Sequence, residues 1–192
     1  MRIVSPRTIS IKPGSAPGLG RSRRLSRHDR IIVGLLGFFI VVAFTVELYW
    51  IAYHNELPRR SQTDFLAFLF AIYSAGDQAY YQHVSYFALG LETINVFFTQ
   101  FAHIWLIFAI IKRRPYRHAL QLAVSSYLVY SVVLYFWVAY LSGYENMPTK
   151  SAYAFFIFVT PNLPWLLANI YLAAHSAAAI THYFRQADER MQ

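Results

Sequence analysis

Apolar and polar positions fall in long blocks along this chain, and four of the apolar blocks stand out. Residues 31–53 are apolar except for Thr45 and Glu47, and close on Tyr49, Trp50 and Tyr53, side chains suited to a membrane interface. Residues 86–111 read YFALGLETINVFFTQFAHIWLIFAII, with no Lys or Arg but with Glu92, Asn95, Gln100 and His103. Residues 119–142 are apolar apart from Gln121 and serines. Residues 152–182 contain Pro161 and Pro164, which free backbone carbonyls and kink a helix. Each block meets the roughly 20 residues that a membrane-crossing helix needs. The apolar block at 65–73 is too short to cross and reads as a helix lying at the interface or capping the bundle.

These blocks predict an all-α membrane protein, a four-transmembrane-helix bundle over residues 31–183. A basic N-terminal arm (1–30) and a polar C-terminal tail (184–192) flank it. The arm is rich in Ser, Pro, Gly and Arg and lacks hydrophobic periodicity, as disordered segments do. Its basic region is long and the apolar stretch after it can span. With no small-residue cleavage site, that argues against a cleaved signal peptide.

Composition supports a bilayer setting. Of 192 residues, 57% are hydrophobic and 14% charged, where a soluble domain carries about 25% charged residues. The absence of cysteine excludes disulfides and Cys-based metal sites. The net charge of +8 is uneven: residues 1–30 hold eight Lys/Arg against one acid, and KRRPYRH at 112–118 holds four more. Basic residues that flank spans suit orientation and lipid headgroups, whereas nucleic acid would need a basic face on a folded domain. With four spans, the arm and KRRPYRH share a side, so both termini are expected in the cytosol.

That topology constrains the buried acids. Glu47 lies six residues before the non-cytosolic end of its span, and Glu92 six residues into the next span from the same side. At 1.5 Å per residue both sit roughly 9 Å deep. Asn162 enters the fourth span from that side too, somewhat deeper, and Trp165 follows one turn later. Four spans therefore place two carboxyls, an amide and an indole in one half of the bundle. An acid near mid-membrane costs at least ~2–3 kcal/mol and normally faces protein or a water-filled cavity. Two carboxyls close together in low dielectric do not both ionise cheaply, which leaves a proton donor beside a base. Such a pair can protonate an alkene or an epoxide oxygen and remove a proton elsewhere. Aromatic faces, that of Trp165 among them, can steady a cationic intermediate.

Plainer roles compete. Buried Glu and Asn can simply link helices by hydrogen bonds. His103, three turns from Glu92 on nearly the same helical face, reads as a packing group or a supporting one. Gln100, Gln121, Asn169 and His175 read as interhelical hydrogen-bonding groups. No two histidines stand at i, i+3 or i, i+4 beside an acid, so no metal site is expected.

Several runs together carry a resemblance: GDQAY (Gly76–Tyr80), LETIN (Leu91–Asn95), RRPYRHALQLAVS (Arg113–Ser125), VLYF (Val133–Phe136) and PNLPW (Pro161–Trp165). In order and spacing they resemble the emopamil-binding, or EXPERA, family of sterol double-bond isomerases, over about residues 41–174. The resemblance implies a membrane bundle around a sterol-sized apolar cavity, in the endoplasmic reticulum, working without a cofactor. It implies that Glu47 and Glu92 are the catalytic acids, with Asn162 and Trp165 at the cationic centre and Tyr80 lining the ligand. Asn95, where the family has threonine, joins them as a substrate-binding residue. Ala43 stands where the isomerases have a histidine one turn before the first acid, which points to a site re-tuned for another substrate or step. The expected partners are a lipophilic small molecule and membrane lipids, with a homodimer allowed and nucleic acid not expected.

Three functions follow. The first is acid/base isomerisation of a sterol or isoprenoid, with opening of a terpenoid or polyketide epoxide as its sister. The second is a binder of sterols or amphiphiles without turnover. The third is a structural bundle with no ligand, which predicts no cavity.

Overall fold

The computed structural model describes residues 25–82 and 84–191. Seven α-helices carry the fold: α1 (Arg27–Tyr53), α2 (Leu57–Arg60), α3 (Phe65–Tyr73), α4 (Tyr86–Ile111), α5 (Arg117–Leu141), α6 (Ala152–Val159) and α7 (Leu163–Met191). No strand occurs among the described residues. Helices α1, α4, α5 and α7 are each long and apolar enough to cross a bilayer, so the protein is an all-α, multi-pass membrane protein.

The helices start where short polar side chains can take orphan backbone N–H groups. Ser26 accepts from the Asp29 amide at 3.0 Å, Asp64 from the Leu66 amide at 3.0 Å, Ser85 from the Ala88 amide at 3.4 Å and Ser151 from the Ala154 amide at 3.2 Å. The Ser26 cap brings residues 27–30 into α1, although the sequence reads them as the end of the arm. The arm's residues 1–24 lie outside the described residues. Helix α5 stops at Leu141, and Gly143 follows with φ +64°, the left-handed position that ends helices.

The fourth apolar block is two helices, not one kinked span. Pro161 has no N–H to donate, and the chain leaves helical hydrogen bonding over Thr160–Asn162. Pro164 is accommodated in the first turn of α7, where its missing N–H costs nothing. Only α7 is then long enough to span, and it gains its length at the far end. Residues 184–191, strong helix formers such as Gln186, Ala187 and Glu189 with no glycine or proline to stop them, continue the helix.

Two ends are tied differently. At one, Arg117 at the start of α5 pairs with Asp29 at the start of α1 (3.3 Å), and His28 meets the Tyr171 hydroxyl of α7 (2.9 Å). A core of Ile32, Leu36, Phe39, Leu106, Ile110 and Leu172 fills this half. At the other end, Trp50, Leu57, Phe70, Tyr135 and Phe158 form a second core under the connections. The Gln121 amide links α5 to α7 by donating to Leu172 O at 2.9 Å, as its position predicts. Gln100 and Asn169 instead bond within their own helices, to His103 (3.0 Å) and Trp165 O (2.9 Å). Large apolar side chains, Phe98, Phe101, Trp105, Trp137 and Phe156 among them, are exposed on the outer faces, where they can meet lipid.

The turn after α3 lies directly on α6. A Cβ on Gly76 would fall 2.5 Å from Phe158 N and 2.8 Å from Ala154 O, both backbone atoms that cannot yield. The next amide but one, Gln78, donates to Asn146 O at 2.8 Å. Gly76→Ala must therefore push the turn off α6. We expect a loss of about 1–3 kcal/mol, read as a lower unfolding midpoint in detergent, whereas Gly34→Ala, inside α1 and with nothing within 4 Å, should not lower it.

Candidate functional site

The two intramembrane carboxyls sit beside local departures from α-helical geometry. In α1 the backbone widens to a π-helix over Ala43–Glu47, so Glu47 closes that segment. In α4 the same widening covers Asn95–Thr99, beginning one turn after Glu92. The two widened segments touch across the α1–α4 interface. A π segment inserts one residue into a helix and re-aims the side chains around it. The break at Thr160–Asn162 supplies a third irregularity, at the entry to α7.

Between these irregular segments lies a cavity of about 360 Å³ with a mostly apolar wall, within the range of roughly 300–1,000 Å³ usual for small-molecule sites. Glu47 from α1, Glu92 and Asn95 from α4, Asn162 and Trp165 from the α6–α7 junction, and Tyr80 from the connection all border it. The cavity runs against the structural bundle, which predicts none. Phe38 and Leu69 border the cavity and are also exposed on the outer surface, 55% and 38% respectively. The chamber therefore meets the lipid-facing side between α1 and α3.

The polar groups are partly paired. The Tyr80 hydroxyl donates to Glu92 Oε1 at 2.7 Å, and the Trp50 indole holds Tyr80 by donating to its carbonyl at 2.9 Å. Burial, and then the neighbouring Glu92, raise the Tyr80 phenol well above its ordinary 10, so it stays a proton donor in this bond. The Asn162 amide donates to Phe158 O at 2.9 Å and, more weakly, to the Tyr73 hydroxyl at 3.4 Å. The Trp165 ring is stacked on Phe39, centroids 4.2 Å apart and 19° between planes. Glu47 Oε2, Glu92 Oε2 and Asn95 Oδ1 lie buried with no hydrogen-bond partner in the protein. Unpaired buried acceptors are costly, about 1–3 kcal/mol each or more when charged, and mark a place where a ligand or water completes the set.

The site thus gathers every residue proposed from the sequence except His103. That ring is fully buried against Phe39, 5.9 Å between centroids, and bonds Gln100 rather than bordering the cavity. Sequence reasoning did not single out Trp50, Tyr73, Tyr135 or Ser131 as site residues, and they also border the cavity. Among the described residues no cluster of His, Cys, Asp or Glu could hold a metal ion.

Comparison with known proteins agrees with this architecture. The EXPERA (EXPanded EBP superfamily) profile matches residues 65–176. The 3-beta-hydroxysteroid-Delta(8),Delta(7)-isomerase of Mus musculus is 31% identical over 152 residues, 78% of this chain and 61% of the relative. The probable isomerase of the same name from Arabidopsis thaliana is 28% identical over 145 residues, 76% of this chain and 64% of the relative. The protoglabretal synthase MOI1 of Citrus sinensis is 24% identical over 155 residues, 80% of this chain and 72% of the relative. The chain spans about three fifths of the length of the isomerases it matches. With the profile covering more than half of the chain, this protein belongs to the EXPERA (EXPanded EBP) family.

Proposed function

We propose that the protein is a membrane-embedded acid/base enzyme that moves a double bond in a sterol or related isoprenoid, using Glu47 and Glu92 and no cofactor. The observation that carries this reading is the pair itself: two carboxyls from different helices border one apolar chamber, each with an unpartnered oxygen. Tyr80 donates to Glu92, which suits Glu92 to the carboxylate role and Glu47 to the acid. Glu47 gives its proton to one alkene carbon and leaves a cation on the other. The Trp165 face and the Asn162 carbonyl oxygen steady that cation. Glu92 then takes a proton from the neighbouring carbon, the double bond re-forms one position along, and the two acids re-equilibrate through solvent or each other. One proton enters and one leaves, so no redox partner is needed.

Likeness to proteins named protoglabretal synthases favours a second reading. In it the same pair acts on a different lipophilic skeleton, including opening an epoxide by protonating its oxygen. Ala43, where the isomerases have a histidine by the resemblance drawn above, fits a re-tuned substrate. A binder without turnover would use the same cavity, holding an amine or hydroxyl against the carboxyls. We place the protein in the endoplasmic reticulum membrane with both termini cytosolic, on the strength of the basic flanks and the family.

A panel of Δ8 3β-hydroxysterols, epoxy-terpenoids and epoxy-polyenes incubated with the purified protein separates these readings. A Δ7 product supports isomerisation and an opened epoxide supports the second reading. Tight binding with every compound recovered unchanged would overturn both in favour of the binder.

Glu92→Gln and Glu47→Gln should each lower kcat by at least about 100-fold, the scale of general acid/base catalysis, with helix content and unfolding midpoint kept. Full activity in either variant would refute the assignment. Tyr80→Phe removes one hydrogen bond to a carboxylate and should lower kcat by roughly tenfold, read in the same assay.

A further inference from the structure

The hairpin of α4 and α5 leaves an open groove on its outer surface that shares no residue with the chamber of the two acids. The groove measures about 520 Å³ and is lined by Phe101, Ala102 and Trp105 of α4 and by Tyr116 and Leu120 where α5 begins. Phe101 and Trp105, one turn apart, are exposed, and the small side chain of Ala102 is half-buried between the helices. Trp105 lies six residues before the end of α4 at Ile111, and Phe101 ten residues before it. At 1.5 Å per residue the groove runs roughly 15 Å inward, half of a hydrocarbon core about 30 Å thick. That is the depth of one leaflet.

A basic turn stands at the outer end. Phe108 continues the helix face of Phe101 and Trp105, and the Arg114 guanidinium sits over its ring, 5.8 Å from the centroid. Lys112 closes α4 one turn beyond Phe108 on that same face. Both cations are exposed, whereas the neighbouring Arg117 is paired with Asp29. Residues 93–144 contain no Asp or Glu, so the hairpin offers Lys112 and Arg114 no carboxylate along its groove.

The groove also holds one open hydrogen-bond donor. The Trp105 indole donates to the Tyr116 hydroxyl at 3.0 Å, which links the two helices across the groove. A phenol both accepts and donates. Having accepted from the indole, Tyr116 keeps its own proton, and none of the described residues takes it. An indole and a phenol at this depth are the side chains that sit at headgroup level in membrane proteins.

We propose that this groove binds one anionic phospholipid, a site separate from the reaction above. An acyl chain lies along Phe101, Ala102, Trp105 and Leu120. The acidic headgroup meets Lys112 and Arg114, and the Tyr116 hydroxyl donates to a phosphate or ester oxygen. Basic pockets between spans are where acidic headgroups bind.

Charge and depth decide between occupants. A second copy related by a two-fold axis along the membrane normal would set the same basic turn against its mate, a like-charge contact. The N-terminal arm has the wrong sign as well, with Lys and Arg but no acid in residues 1–24. A soluble anion would answer the cations and leave an aromatic slot one leaflet deep uncovered. An acidic lipid answers both.

The test is native mass spectrometry of the full-length protein in detergent, with an equimolar mixture of phosphatidylserine and phosphatidylcholine carrying identical chains. One phosphatidylserine per chain should be retained, at least about fivefold over phosphatidylcholine. Lys112→Gln and Arg114→Gln should each lower that retention about fivefold. Arg59→Gln, which removes a cation in the connection after α1, should not change it. Tyr116→Phe removes the donated bond and should lower retention roughly tenfold. Ala102→Leu fills the groove without touching charge and should lower retention of both lipids, with helix content and unfolding midpoint kept.

Equal retention of the two lipids would overturn the proposal, as would a preference that survives both Gln variants and Ala102→Leu. Full competition by glycerophosphoserine, which has the headgroup and no chains, would make the ligand a soluble anion and overturn it too. A lipid-free dimer that Ala102→Leu abolishes would assign the groove to a second copy instead. None of the substituted residues borders the chamber, so each result stands whether or not a sterol is turned over.

Discussion

A carboxyl group carried into the hydrocarbon region has to be answered by something polar, and the bundle is arranged around two of them. Glu92 is answered in part by the Tyr80 hydroxyl. Tyr80 is reached only because the connection after α3 folds inward, held by the Trp50 indole on its carbonyl and by the Asp77 cap on its turn. That connection can fold inward only because Gly76 lets its backbone touch α6. One hydrogen bond to a buried acid thus depends on four elements, and the second oxygen of each acid is still left over. A purely structural pair of glutamates would be satisfied by its neighbours. This pair is satisfied only with a guest or water present.

Regular helices packed at normal protein density leave no room for a chamber of about 360 Å³. The space comes from three irregularities, the π segments of α1 and α4 and the proline break before α7. Each lies beside a polar group of the cavity: Glu47, then Glu92 and Asn95, then Asn162. Departures from the ideal helix cost energy locally and are common at functional sites for this reason. Here they both open the void and aim the polar side chains into it.

Hydrophobic block lengths made the four spans legible, and depth along those blocks made Glu47, Glu92, Asn162 and Trp165 legible as a group. An acid in an apolar run is a rare event that a sequence displays openly. Tyr73, Tyr135 and Trp50 were not legible, because in a chain with 18% aromatic residues one more ring carries no signal. Asp77 was hidden for the opposite reason: an acid in a connection is ordinary, and only the packing of that connection onto α6 buries it. His103 illustrates a geometric limit. On an unbroken helix it shares a face with Glu92, but the extra residue of the π segment at Asn95–Thr99 turns everything beyond it by about 100°. The ring is carried from the cavity into the packing against Phe39. Nothing in the spacing of apolar residues announces that insertion.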